Sequence, residues 1–102
     1  MILYQKDFPE GTFITYSSFP KELEDKAFRV DQIHGKNIVN TNQINKVIQA
    51  DGIVTTDKSI MAIKTADCLP ILVLGHKGQA MIHAGWRGIN LNIMIQEEVT
   101  GI

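Results

Sequence analysis

Three side chains with metal-binding chemistry lie where predicted strands end. They are His34 in "DQIHGKN", Cys68 in "TADCLP" and His83 in "MIHAGWRG". A cysteine thiolate and two imidazoles form a donor set that suits zinc or copper better than magnesium or calcium. Three protein ligands leave a fourth coordination position open, which is typical of catalytic rather than structural zinc. The residue types therefore indicate a catalytic metal site, although their spacing matches no zinc finger or ribbon.

A predicted hairpin brings two of these residues together. The apolar runs "LPILVL" and "QAMIHA" flank residues 75–78, "GHKG", which favours a tight turn between antiparallel strands. A turn in which Gly75 pairs with Gly78 places Pro70 opposite His83. Cys68 lies two residues before Pro70, on the same face of the strand. Diagonal neighbours on one face are about 7–8 Å apart, so we expect Cys68 and His83 to converge on one position.

Short runs of Ile, Val, Phe and Tyr, separated by Gly, Asn, Asp and Pro, predict a chain dominated by β-structure. The predicted strands cover residues 12–17, 27–31, 37–39, 52–55, 59–65, 71–74 and 79–83. Two segments carry helix signals: "SSFPKELEDK", with a serine cap and an early proline, and "INLNIMIQEEV", which follows Gly88.

Length and composition limit the class of protein. The 102 residues, 44% hydrophobic and 21% charged, are consistent with one globular domain. A net charge of -1 with scattered lysines gives no basic surface for nucleic acid. The lone Cys68 excludes an internal disulfide, and we find neither a leader segment nor a membrane-spanning run. We therefore expect a cytoplasmic protein that contacts neither nucleic acid nor membrane.

Other polar residues near these motifs have plainer expected roles. Asp51 in "ADGIVT" precedes glycine at a strand start and is expected to form a turn with its own backbone. Asp67 points to the opposite face from Cys68 in a regular strand, which disfavours a direct nucleophilic role but lets it support a neighbouring ligand. Trp86 is expected to pack the turn, and His76 to be solvated.

Four segments in fixed order resemble the laccase-domain family, whose members are also called YfiH-type polyphenol oxidases and purine nucleoside phosphorylases. The segments are "QIHG" at 32–35, "ADGIVT" at 50–55, "TADCLPILV" at 65–73 and "HAGWRG" at 83–88. The resemblance implies an α/β (α+β) sandwich with a mostly antiparallel or mixed sheet and flanking helices. Residues 1–102 would form a single domain, equivalent to the N-terminal portion of the usual family domain and incomplete at its C-terminus.

The resemblance also implies a site and a reaction. His34, Cys68 and His83 would hold one zinc ion, with Cys68 and His83 also counted as catalytic, and Arg87 would bind phosphate through its planar guanidinium. Asp67 is our candidate for the general base. The implied activities are phosphorolysis of adenosine, inosine and methylthioadenosine, and deamination of adenosine, with a purine nucleoside and phosphate as partners.

Three alternatives remain open. Cys68 and His83 could act as nucleophile and base of a metal-free cysteine hydrolase. Copper in place of zinc would suit a polyphenol oxidase, although four-electron oxygen reduction needs further coppers and His76 is the only other histidine. A truncated domain could instead bind metal without turnover. In a short or truncated member an exposed strand edge would favour homo-oligomers.

Overall fold

A computed structural model describes residues 1–46, 48–65, 69–85 and 102 of the chain, and strands dominate this part. The strands are β1 (Ile2–Phe8), β2 (Gly11–Tyr16), β3 (Ile38–Asn40), β4 (Gly52–Thr55), β5 (Leu69–Leu74) and β6 (Gln79–Ala84). Short 3-10 turns lie at Lys21–Leu23 and Thr41–Gln43. The predicted α+β class with mixed and antiparallel sheets is confirmed.

Four strands form a mixed sheet in the order β3-β4-β6-β5. Strand β3 runs parallel to β4, whereas β4 and β5 both run antiparallel to β6. All four residues of β4 are buried, which explains why its sequence, "GIVT", shows no alternation of polar and apolar residues. One core cluster is formed by Ile38, Val54, Ala80, Ile82 and Ala84, against which Ile71, Val73 and Ile102 pack. Ala50 and Ile53 are also completely buried.

The N-terminal hairpin of β1 and β2 is a separate two-stranded sheet. Phe8 pairs with Gly11, and Gly11 has a φ of 154°, a conformation open to glycine but rarely to other residues. Strand β1 is not among the predicted strands, because six of its seven residues are exposed. Exposure on both faces leaves none of the alternation by which a half-buried strand is recognised.

The β5–β6 hairpin has the predicted register. Pro70 is paired with His83, and the backbone N–H of Gly75 donates to the carbonyl of Gly78 at 2.9 Å. This pairing fixes the position of His83 on the sheet. The predicted convergence with Cys68 concerns a residue outside the described part of the chain.

Other predicted elements are shorter than expected. Residues 27–31 and 59–65 contribute only isolated bridges, from Phe28 to Met61 and from Asp31 to Gln49. The segment "SSFPKELEDK" forms only the Lys21–Leu23 turn, which buries no residue. A short helix draws most of its stability from an apolar face packed on the core, and this turn has none. The predicted helix after Gly88 lies outside the described residues.

In the part of the chain that the structure describes, no helix is long and apolar enough to cross a membrane. Strands β3 and β5 occupy the two outer positions of the four-stranded sheet among the described strands. Whether copies of the chain associate through such an edge stays a prediction.

Candidate metal centre

His83 lies near the end of β6 with only 3% of its surface exposed. Its backbone N–H donates to the carbonyl of Asp51 at 2.7 Å, just before β4 begins. Its ring reaches the same residue, because Nδ1 lies 2.9 Å from Oδ1 of the Asp51 carboxylate. Backbone and side chain thus join His83 to Asp51.

Asp51 is completely buried and accepts hydrogen bonds from a second segment of the chain. The backbone N–H groups of Ile33, His34 and Gly35 donate to its carboxylate at 3.2, 2.9 and 2.7 Å. Consecutive backbone N–H groups that face one anion form a nest, an arrangement that binds negative charge. The loop of residues 32–37, the His34 loop, therefore wraps around the carboxylate of Asp51.

His34 itself adopts a left-handed backbone conformation, with a φ of 60°. A residue other than glycine or asparagine held in this region costs on the order of 1 kcal/mol or more. The hydrogen bond from the His34 N–H to Asp51 helps to hold this conformation. The side chain is exposed, in contrast to the buried ring of His83.

The rings of His34 and His83 are neighbours in an edge-to-face arrangement. Their centroids are 5.1 Å apart and their planes are inclined at 68°. Zn–N bonds of about 2.0–2.1 Å at a tetrahedral angle put the centroids of two ligating imidazoles about 5 Å apart. Because Asp51 occupies Nδ1 of His83, Nε2 is the nitrogen through which this ring can bind a metal. The centroid separation of the two rings is therefore compatible with a shared zinc ion.

Two opposing effects act on the pKa of Asp51. Burial raises it, but the hydrogen bonds from His83 and from the backbone N–H groups of Gly35, Ile33 and His34 favour the charged form. The hydrogen bonds outweigh burial, and the pKa lies below the ordinary value for an aspartate. The carboxylate is thus a permanent acceptor at neutral pH.

A further contact joins the His34 loop to the chain ahead of Cys68. The side-chain amide of Gln32 donates to the carbonyl of Lys64 at 2.6 Å and accepts from the Lys64 N–H at 2.6 Å. The glutamine thereby pairs with this backbone as a neighbouring strand would. Lys64 precedes Cys68, the predicted third ligand, by four positions in the sequence.

The far end of β4 carries an unrelated polar cluster. The hydroxyl of Thr55 donates to Asp57 at 2.7 Å and lies 3.3 Å from the hydroxyl of Thr41. Ser59 donates its hydroxyl at 2.5 Å and its N–H at 3.1 Å to the same Asp57 carboxylate. These bonds hold the pKa of Asp57 below its ordinary value. The cluster closes a turn at the opposite end of the strand from Asp51.

The structure brings together two of the predicted site residues, His34 and His83. Cys68, Asp67 and Arg87 fall outside the described residues, and their predicted roles as ligand, base and phosphate partner stay predictions. Among residues 1–46, 48–65, 69–85 and 102, no three Cys, His, Asp or Glu side chains form a metal-binding group.

The expectation for Asp51 is wrong. Its carboxylate does not turn back on its own backbone but accepts from residues 16 to 18 positions earlier and from His83, 32 positions later. The physical reason is burial, because a fully buried carboxylate needs several donors. The signal in the sequence was a charged residue held inside the run "QADGIVT", directly ahead of a strand with no polar alternation.

Comparison with known proteins assigns the chain to a family. Residues 16–100 match the family model described as multi-copper polyphenol oxidoreductase laccase. Purine nucleoside phosphorylase RC0672 of Rickettsia conorii is 42% identical over 77 residues, which cover 72% of this chain and 32% of that protein. The purine nucleoside phosphorylase of Aquifex aeolicus is 30% identical over 106 residues, covering 90% of this chain and 50% of that protein.

A solved structure supports the same relationship. The crystal structure of the Neisseria meningitidis protein NMB0706 superposes with a TM-score of 0.65 at 29% identity, covering 74% of this chain and 32% of that one. The chain thus spans between a third and a half of the length of these relatives. With a family model matched over most of its length, the chain belongs to the multi-copper polyphenol oxidoreductase laccase family.

Proposed function

We propose that this chain carries the metal centre of a zinc-dependent purine nucleoside phosphorylase. The observation that carries the proposal is the pair of facing imidazoles of His34 and His83, with the Asp51 carboxylate behind the buried ring. The relatives in Rickettsia conorii and Aquifex aeolicus, both named purine nucleoside phosphorylases, supply the reaction class. Cys68 is the proposed third ligand.

The proposed metal is zinc. Two imidazoles and a thiolate are ligands that zinc prefers, and a fourth, open position would supply a Lewis acid for substrate or water. The same donors also bind copper, the metal in the family description. Oxygen reduction by several coppers needs more histidines, and of the three in the sequence the remaining one, His76, lies in the turn between β5 and β6. This composition favours zinc.

In the proposed reaction a phosphate oxygen forms a bond to the anomeric carbon of the ribose while the bond from that carbon to the purine nitrogen breaks. The purine leaves with the bonding electron pair and takes up a proton. Arg87 is the proposed phosphate partner, because a guanidinium pairs with two phosphate oxygens at once. Asp67 is the proposed proton-transfer group. The proposed substrates are adenosine, inosine and methylthioadenosine, with deamination of adenosine as a further reaction.

The test combines metal analysis with a nucleoside assay. The 102-residue chain is purified without added metal, its zinc and copper are quantified, and phosphate-dependent release of hypoxanthine from inosine is measured. We expect about one zinc per chain in the wild type, and loss of zinc and activity in His34→Ala and His83→Ala. His76→Ala is the matched control and should change neither. Phosphorolysis that persists in His83→Ala would overturn the proposal.

Alkylation of the single cysteine separates this proposal from a metal-free cysteine hydrolase. A thiolate bound to zinc is protected, so a maleimide should modify Cys68 slowly in the zinc-loaded protein and rapidly after chelation. A hydrolase nucleophile would react at the same rate in both forms. Stoichiometric zinc without any nucleoside cleavage would instead indicate a metal-binding domain that is not catalytic.

A further inference from the structure

We propose that Asp51 is the positioning residue of this centre, a single carboxylate that orients the His83 ring and fixes the His34 backbone so that both imidazoles meet at one metal position. The inference deepens the proposed function and rests on it only for the identity of the metal and the reaction.

One oxygen of Asp51 connects the two histidines. Oδ1 accepts from Nδ1 of His83 at 2.9 Å and from the backbone N–H of His34 at 2.9 Å. Oδ2 accepts from the backbone N–H groups of Gly35 at 2.7 Å and Ile33 at 3.2 Å. Oδ1 therefore bonds to both candidate ligands, whereas Oδ2 bonds to the backbone of the residues on either side of His34.

The main chain of Asp51 reinforces this arrangement. Its N–H donates to the carbonyl of Asn37 at 2.9 Å, and its carbonyl accepts from the N–H of His83 at 2.7 Å. Asp51 thus makes hydrogen bonds to the His34 loop and to β6 through both main chain and side chain. A shift of Asp51 would move both imidazoles, which is why we assign the positioning role to this residue.

Burial makes the arrangement stable before any metal binds. Asp51 has no exposed surface, so its charge is balanced by these donors instead of by water. Removing the partner of a buried charge is strongly destabilising, so the hydrogen-bonded arrangement is favoured. The two rings are therefore already held close together, and metal binding needs little reorganisation of the loop.

The contact also selects the tautomer of His83. An ionised carboxylate only accepts hydrogen bonds, so the Nδ1 atom 2.9 Å away must carry the hydrogen. The lone pair is then on Nε2, the nitrogen directed away from Asp51. A carboxylate bonded to the second nitrogen of a metal-binding histidine also increases its strength as a ligand.

The first test needs no substrate. In metal-free protein with ¹⁵N-labelled histidine, long-range ¹H–¹⁵N correlation spectra report which ring nitrogen carries the hydrogen. We expect the Nδ1–H form for His83 in the wild type and a shift to the Nε2–H form in Asp51→Ala. A wild-type His83 in the Nε2–H form would overturn the inference, whether or not the variants fold.

The second test measures affinity for Zn²⁺ alone, by competition with a chromophoric chelator. Loss of such a partner typically lowers metal affinity about 10- to 100-fold, and we expect this for Asp51→Ala. Asp51→Asn retains one oxygen that can accept from His83 and His34, but its NH₂ group faces the donors of Gly35 and Ile33. It should keep the Nδ1–H form while zinc affinity falls less than in Asp51→Ala.

Asp57→Asn is the matched control, because it removes a carboxylate at the other end of β4, and it should leave zinc affinity unchanged. Zinc affinity in folded Asp51→Ala within about twofold of wild type would contradict the positioning role. Neither measurement involves a nucleoside, so a protein that shows the expected tautomer and zinc affinities but cleaves no inosine would refute the proposed function alone.

Discussion

The imidazole rings of His34 and His83 lie with their centroids 5.1 Å apart, although one is exposed in a loop and the other is buried at the end of a strand. The histidines are held by Asp51, which accepts from the His34 backbone and from the His83 ring through the same oxygen.

Gln32→Ala should weaken metal binding, because it removes the side chain that holds the backbone of Lys64 in place. The side chain of Gln32 makes two hydrogen bonds to the backbone of Lys64, four positions before Cys68. At about 0.5–1.5 kcal/mol per hydrogen bond, the variant should lose roughly 1–3 kcal/mol of unfolding free energy, as measured by urea denaturation. We also expect zinc affinity to fall severalfold, because the segment leading to Cys68 loses its anchor.

Lys64→Ala is the control for this variant. It removes the Lys64 side chain but keeps the N–H and carbonyl that pair with Gln32, so zinc affinity and stability should stay close to wild type. If Lys64→Ala and Gln32→Ala behaved alike, the backbone pairing could not be the cause.

Asp57→Asn should make the chain less sensitive to acid. The pKa of Asp57 is lower in the folded than in the unfolded chain, because Ser59 and Thr55 donate hydrogen bonds to its charged form. The stabilisation is therefore complete above the unfolded pKa of about 3.9 and is lost as the pH falls through the lower folded pKa. Urea unfolding at pH 7 should show the wild type as the more stable protein.

The same comparison near pH 3 should show a smaller difference between the two proteins. A difference in unfolding free energy that stayed constant from pH 7 to pH 3 would contradict the assigned role of the charge. Asparagine is the suitable replacement, because its oxygen can still accept from the N–H of Ser59.

Much of this site could be predicted from local sequence. The β5–β6 turn, bounded by Gly75 and Gly78, set the register that places Pro70 opposite His83, because a short hairpin loop allows few pairings. Metal chemistry alone selected His34 and His83 as partners. Asp51 could not be predicted in this way, because its donors come from loop and strand segments whose approach depends on how the whole sheet folds. Strand β1 could not be predicted for a different reason: its residues are exposed on both faces, so its sequence shows no alternation of buried apolar and exposed polar residues.

Three glycines should differ in their tolerance of alanine. A Cβ at Gly78 would lie 2.3 Å from the backbone carbonyl oxygen of Thr55, and one at Gly52 would lie 2.9 Å from a side-chain carbon of Ile38. At Gly35 the nearest atoms are 3.6–3.7 Å away. A backbone atom can move least, so Gly78→Ala should cost the most unfolding free energy, about 2–3 kcal/mol.

By the same reasoning Gly52→Ala should cost about 1–2 kcal/mol, and Gly35→Ala less than about 1 kcal/mol, despite its place in the His34 loop. Thermal or urea unfolding of the three variants gives the order directly. A Gly35→Ala protein less stable than Gly78→Ala would show that the loop around Asp51 is more tightly constrained than these distances indicate.

His34→Asn should lower zinc affinity without lowering the stability of the fold. His34 has a φ of 60°, a region that asparagine adopts more readily than histidine, so the variant should unfold at the same or a slightly higher urea concentration, with a gain of up to about 1 kcal/mol. Because its ring is exposed, the loss of packing is small. Zinc affinity should nevertheless fall by at least tenfold, since an imidazole that faces His83 is removed.

Lys58 offers the matched control for this variant, because it has almost the same backbone conformation, with a φ of 62°, in the turn at the far end of β4. Lys58→Asn should show the same small change in stability with no change in zinc affinity. If both variants gained stability and only His34→Asn lost zinc, the strained conformation of His34 would be a cost that the chain bears for metal binding. A large loss of stability in His34→Asn alone would instead show that the His34 side chain supports the fold.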